Sequence, residues 1–356
     1  MSAEAVAVVT APTVDVEWYR QRARIFRFAF GMTLSAAIAF GFAWPLAFIT
    51  PVFAAKLLTM PKVLPVKAGV AFLVILGGSF FLAAAFLLPT LAYPLIYLLL
   101  SGLVMFLLFY AKAGGANPVL VVFLLLGMLV MPILGIESVA LANAIAQGLM
   151  FSATVAIVMI YVTAALFPDP PAAEAPAQVA QKKATAPDVP APKERALLAR
   201  RSVLVLYPLA TVLLLFSRSD LTLVLVQAGM LSLEPSFGKH LAAGKGLIFA
   251  NLAAGLVAVA IYQMLLFVPS FPFFLLLVLL SGLWAGKWIF SDHPFGKLLS
   301  AGITALFLIL GPALMGDAEA GAALVTRIVL IMFAVLYVVL AFGLLERLSR
   351  GRRLPA

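Results

Sequence analysis

Apolar runs of about 20 residues follow one another along nearly the whole chain, separated by short breaks that carry charge, proline or glycine. A run of that length crosses a hydrocarbon core of about 30 Å as a helix. Backbone in lipid must satisfy its own hydrogen bonds, which restricts spanning structures to helices or closed barrels. The period-two alternation of barrel strands is absent. The pattern predicts twelve helices, near 25–43, 46–60, 66–88, 90–111, 118–136 and 138–167, then 201–217, 219–233, 241–268, 270–290, 297–315 and 319–345. Between the sets, 168–199 holds seven prolines and ten alanines among scattered charges and reads as a cytoplasmic linker. The expected fold is all-α and integral to the membrane. A tail (1–24) precedes a first six-helix repeat (25–167), and the linker joins it to a second (200–346) and a basic tail (347–356).

The two sets are related in sequence. From Pro89 to Asp317 the second half repeats the first at an offset of 180 residues. Leu99-Leu100-Ser101-Gly102-Leu103 recurs as Leu279-Leu280-Ser281-Gly282-Leu283, Pro89 meets Pro269, Pro132 meets Pro312, and the acid Glu137 meets the acid Asp317. Six helices per half is an even number, so the halves share one orientation, about an axis along the membrane normal. Duplicated bundles of this kind are common among transporters.

Composition and charge agree with this picture and set the orientation. Hydrophobic residues make up 65% of the chain and charged residues 11%, with a mean hydropathy of +1.16. There is no cysteine, which removes disulfides and thiol chemistry. The net charge of +10 is that of inner-face loops and implies no nucleic acid. With both termini cytoplasmic, 22 of the 24 Lys and Arg fall on or near the cytoplasmic side. Arg218 and Arg327 are the exceptions, while Glu137, Asp220, Asp317 and Glu319 fall in the outer connections.

Ionisable and amide side chains inside the spans are the candidate chemistry. Arg327 lies about nine residues into the last helix, roughly 13 Å deep at 1.5 Å per residue. A charge at that depth costs on the order of 3 kcal/mol by insertion scales, so it implies an anionic partner or a wet cavity. Either a substrate carboxylate or Glu319, two turns away on the same face, could be that partner. The repeat counterpart of Arg327 is Gln147, with Asn143 one turn before it on the same face. Helices two and eight are both short, and helix two is interrupted by Thr50-Pro51; paired short or broken segments point to transport sites. Helix two carries Lys56. Helix eight is expected to carry Asp220, Gln227 and Glu234 as one polar stripe. The candidate substrate-binding residues are Arg327, Gln147, Asn143, Gln227 and Lys56. The candidate proton-coupling acids are Glu234, Asp220, Glu137, Asp317 and Glu319.

Other motifs carry less. The run Gly238 to Gly246 lacks the spacing and the Ser or Thr of a phosphate loop. Gly282 and Gly286 form a GxxxG packing motif, and Trp44, Trp284 and Trp288 sit near helix ends as interfacial aromatics do. His240 and His293 are loop residues in different connections. No catalytic, metal or cofactor constellation is visible, so neither an enzyme nor a cofactor protein is expected.

Each half opens with a basic cluster and an apolar helix, followed by a short second helix ending near proline and a basic loop into a glycine-bearing helix. The first half shows this as Arg24 to Arg27, Trp44 to Thr50, Pro61 and Lys67-Ala68-Gly69. The second shows Arg200-Arg201, Leu231 to Gly238 and Lys245-Gly246. This arrangement resembles the FUSC group, the fusaric acid resistance and aromatic acid exporter proteins, in a compact form without their large cytosolic domain. The resemblance implies a bacterial inner-membrane exporter of aromatic carboxylic acids, driven by the proton gradient and working with a periplasmic membrane-fusion adaptor. The expected partners are therefore a small organic anion, membrane lipid, that adaptor and further copies of the chain. A non-transporting scaffold or assembly subunit of an envelope complex is the alternative. A major-facilitator transporter would need a Gly/Asp/Arg-rich loop after helix two, where residues 61–67 read PKVLPVK.

Overall fold

The computed structural model describes residues 14–44, 46–60, 63–87, 89–168, 190–233, 237–291, 293, 295–315 and 320–351. Among them the chain forms twelve α-helices and no strand. These are α1 (Val14–Phe42), α2 (Ile49–Leu58), α3 (Val66–Leu87), α4 (Pro94–Ala113), α5 (Pro118–Glu137) and α6 (Val139–Leu166). They continue as α7 (Pro192–Leu215), α8 (Thr222–Ser232), α9 (Phe237–Phe267), α10 (Phe271–Ile289), α11 (Phe295–Leu314) and α12 (Ala320–Gly351). Nine helices in the described residues are long and apolar enough to cross a membrane, and the chain is a multi-pass membrane protein.

Local chemistry accounts for the helix ends. Proline begins α4, α5 and α7 within the first two helical positions, where its missing N–H costs nothing. The Asn117 side chain caps α5 by accepting from the Val119 N–H, and Ser138 caps α6 by accepting from Leu141. The helical ranges depart most from the expected ones at two starts, and α12 runs on to Gly351, inside the segment read as a basic tail. α1 begins at Val14, inside the segment read as a tail, and α7 at Pro192, inside the segment read as a linker. Polar residues such as Arg20 and Arg195 lower hydropathy without opposing helix, so a hydropathy pattern ends the helix too soon. The rest of the linker, 169–189, lies outside the described residues.

The two short helices depart from the expectation in length. α2 has 10 residues and α8 has 11, about 15 Å each, or half a hydrocarbon core. The connection into α2 is held well inside the bundle. Trp44 Nε1 donates to Ser152 Oγ at 3.0 Å, and that hydroxyl donates to the Leu46 carbonyl at 3.3 Å. Ser152 lies thirteen residues along α6 from Val139, about 20 Å. α2 therefore starts beside the middle of α6, not beside either of its ends.

Two large apolar cores, with a small third cluster of Leu57, Ile157 and Ile160, hold the bundle together. One is built on α1, α9, α10 and α11, with Phe28, Met32, Val278 and Phe307 fully buried. The other is built on α3, α4, α5, α7, α8 and α12, with Met105, Leu125, Leu206 and Ile331 at its centre. α1 packs along α10, and α7 packs along α4. Gly282 and Gly286 bring α10 onto α1: a Cβ on Gly282 would fall 3.0 Å from Ala29 Cα. The GxxxG pair is thus a packing contact. Outward-facing leucines and phenylalanines such as Leu99 and Phe81 remain exposed, as a lipid-solvated surface requires.

Candidate functional site

The strongest polar feature within the spans joins α12 to α9. Arg327 lies seven residues after the start of α12, about 10 Å along it. Asn251 lies fourteen residues after the start of α9, about 21 Å along that helix. Arg327 Nε donates to Asn251 Oδ1 at 2.9 Å, and Asn251 Nδ2 donates to the Leu247 carbonyl at 2.8 Å. The second bond fixes which face of the amide meets the guanidinium. Asn251 is 3% exposed and Arg327 is half-buried. Among the described residues the Nη groups of Arg327 have no hydrogen-bond partner, which leaves the forked edge that pairs with carboxylates unused. Glu319, the internal partner considered from the sequence, lies outside the described residues, as do Asp317 and Glu234.

Asn143 and Gln147 occupy a different place. α6 packs on α1, α2, α3 and α5, whereas α12 packs on α7, α8, α9 and α11. The amides and Arg327 therefore do not form one pocket. Asn143 and Gln147 are exposed on α6 and line a groove that runs beside α3. Three adjoining recesses compose it. One of about 480 Å³ is lined by Phe81, Ala84, Pro89, Val139 and Asn143. A middle one of about 250 Å³ holds both amides with Phe80 and Met150. A third of about 560 Å³ runs from Gln147 past Phe151 to Trp44 and Thr154. Neither amide has a hydrogen-bond partner among the described residues. Trp44 closes the third recess, edge-on to Phe151 with ring centroids 4.8 Å apart.

Residues 24–163 match the family model described as a protein of unknown function, DUF2955. No curated protein and no solved structure matches the chain. The matched segment runs from the basic cluster of α1 to near the end of α6, so it contains Trp44, Lys56, Asn143 and Gln147. Asn251 and Arg327 lie beyond it.

The remaining candidates are scattered. Lys56 is exposed in the last turn of α2. Gln227 is half-buried on α8, which packs between α5 and α12. The expected stripe on α8 is not formed there: Asp220 sits in the 3₁₀ turn Ser219–Leu221 ahead of the helix, and only Gln227 of the three lies on α8 as described. Asp220 receives two bonds from Arg218, at 2.8 and 2.6 Å, and both residues are exposed. The hydrogen bond from Arg218 holds the Asp220 carboxyl below the usual carboxylate range. That suits a carboxylate that stays ionised near neutral pH better than a proton carrier. Glu137 is exposed at the end of α5.

Asn251 was not legible as a site residue from the sequence. It is one amide in an apolar helix, and its meaning comes only from the neighbouring helix. A signal was present, since an amide mid-span needs a partner, but the pattern does not say which helix supplies it.

Proposed function

We propose that the chain is a bacterial inner-membrane exporter of small organic acids, aromatic carboxylic acids among them, with both termini cytoplasmic. The observation that carries this reading is Arg327, a cation within a membrane span, held by one buried amide with its forked edge unused among the described residues. A charge there is costly unless an anion or water meets it, and a carboxylate fits the two Nη groups bidentately. Coupling to the proton gradient, and work with a periplasmic adaptor, follow from the FUSC resemblance and belong to the same proposal.

A two-repeat architecture is part of this reading, and several features support it. α1 on α10 is answered by α7 on α4, α2 on α6 by α8 on α12, and α2 on α11 by α8 on α5. A Cβ on Gly127 would meet the Ser79 carbonyl at 3.0 Å, and one on Gly302 would meet the Ala250 carbonyl at 3.1 Å. Ala43 after α1 and Ser217 after α7 are both left-handed, with φ of 48° and 49°. A family match that ends near the close of α6 also suits a six-helix unit. Two halves of this kind could move against each other around the bound acid.

The test is uptake of labelled aromatic acids into inside-out vesicles, with and without a protonophore. Uptake abolished by the protonophore and by Arg327→Ala, in protein that is inserted and folded, is the expected result. Normal uptake by a well-folded Arg327→Ala protein would sink the assignment. The scaffold reading is favoured by one fact: the only bond Arg327 makes among the described residues joins two helices, which is what interhelical glue does. Under that reading Arg327→Ala loosens assembly, and no separable transport defect appears.

A further inference from the structure

The groove along α6 has not been given a role. It is apolar over most of its length, yet two carboxamides project into it with no hydrogen-bond partner among the described residues. In a membrane that arrangement is unfavourable unless a ligand or another chain completes the hydrogen bonds. A carboxamide has one acceptor and two donors on adjacent atoms. A neutral carboxylic acid offers the mirror set: its O–H donates to the amide oxygen, and its carbonyl accepts an amide N–H. The ionised form has lost the donor and carries a charge that an apolar groove excludes. At the position 180 residues later stands Arg327, whose guanidinium prefers the ionised form.

We infer that the groove between α3 and α6 binds the protonated, uncharged form of an aromatic carboxylic acid drawn from the bilayer, its carboxyl group on Gln147 or Asn143 and its ring towards Phe151 and Trp44. The inference rests on the proposed function for its substrate class. It adds that the two equivalent positions are matched to the two protonation states of one acid. Aromatic lining supports the ring's placement: Trp44 and Phe151 bound the recess beyond Gln147, and Met150 lies between.

Trp44 makes the test direct. In a Trp18→Phe, Trp284→Phe, Trp288→Phe background it is the single tryptophan left. Purified protein in lipid nanodiscs is titrated with a nitrophenyl alkanoic acid, a fluorescence quencher, at about pH 4.5 and about pH 7.5, straddling the range where a carboxyl group ionises. Its methyl ester, which lacks the O–H donor, serves as control. The expected result is saturable quenching of Trp44 at the lower pH, weakened about a hundredfold or more at the higher pH at equal total acid, because the uncharged fraction of an ordinary carboxylic acid falls by over two orders of magnitude between them. Gln147→Leu should weaken it about tenfold and Asn143→Leu to a similar or smaller extent, with Arg327→Ala leaving it in place. Both leucine variants add apolar surface to a lipid-facing position, so they should insert as well as the parent. Quenching unchanged in both leucine variants, equal for acid and ester, or as strong at the higher pH would overturn the inference. Vesicle uptake on the same variants separates the two ideas. Loss of uptake in Arg327→Ala with quenching unaltered in both leucine variants defeats the groove alone. Normal uptake in Arg327→Ala with quenching that depends on Gln147 or Asn143 defeats the exporter's Arg327 assignment alone.

Discussion

α6 and α12 occupy comparable places and have been given opposite chemistry. Each lines the side of a neighbouring helix, α3 or α9, and packs on a half-length helix, α2 or α8. On α12 the polar position is Arg327, tied to a buried asparagine on the facing helix. On α6 it is Gln147, exposed in a groove beside apolar Phe80 and Met150. The difference teaches what a charge requires in this environment. The guanidinium is found where an amide on the neighbouring helix receives it; the uncharged amide is found where, among the described residues, the neighbouring helix offers no such partner.

The comparison can be broken in order of expected effect. Arg327→Ala should reduce uptake of an organic anion about a hundredfold or more, as loss of a charge-assisted pair worth about 3 kcal/mol would. Uptake in vesicles measures this, with membrane insertion checked on the same samples. Next, Gln147→Arg should lower the yield of inserted protein, because it places a charge costing on the order of 3 kcal/mol where, among the described residues, the facing helix α3 offers no amide to receive it. Arg327→Gln should not lower yield, and a protease-protection assay reports both. Asn251→Ala should follow, with about a tenfold weaker half-saturation for the anion, because Arg327 loses the bond that fixes its edge. Gly127→Val and Gly302→Val should each lower thermal stability by about 1–3 kcal/mol, since the added atoms meet a carbonyl oxygen at close range in both places. Unequal losses would show that the two helix crossings are less alike than their contacts suggest.

The smallest effect concerns the exposed Arg218–Asp220 pair. The folded-state pKa of Asp220 is depressed. Any stabilisation from the pair is therefore present above the ordinary carboxylate range and is lost as the pH falls through the folded value. Exposed pairs contribute little, so Asp220→Asn should leave both the thermal midpoint and the pH dependence of uptake nearly unchanged. A shifted uptake profile would return Asp220 to the proton path.

What the sequence disclosed and what it withheld separate along a physical line. Hydropathy sees length and polarity, so twelve helices were legible, and Arg327 stood out as a lone cation in an apolar run. Hydropathy does not see who faces whom. Asn251 acquired its meaning only when α9 was placed against α12, and the remoteness of Gln147 from Arg327 appeared only with the packing of α6. Asp220 falls outside the stripe expected on α8 for a local reason: the chain is still in a 3₁₀ turn there, so helical phase does not carry from it to Gln227, while Glu234 lies outside the described residues. The early starts of α1 and α7 were hidden because arginine suits a helix as well as it suits water.

The pairing of α1 with α10 and of α4 with α7 has a consequence for how the protein is made. α1 finds its main neighbour only after roughly 230 more residues have been synthesised, about 10 to 50 s at 5–20 residues per second. During that interval the small-residue face of α1 that will receive Gly282 must lie against lipid or against the insertion machinery. The N-terminal six helices made alone would lack α10 against α1 and α7 against α4. The first six helices and the last six are thus assembly partners, and the order of synthesis obliges the first set to wait for the second.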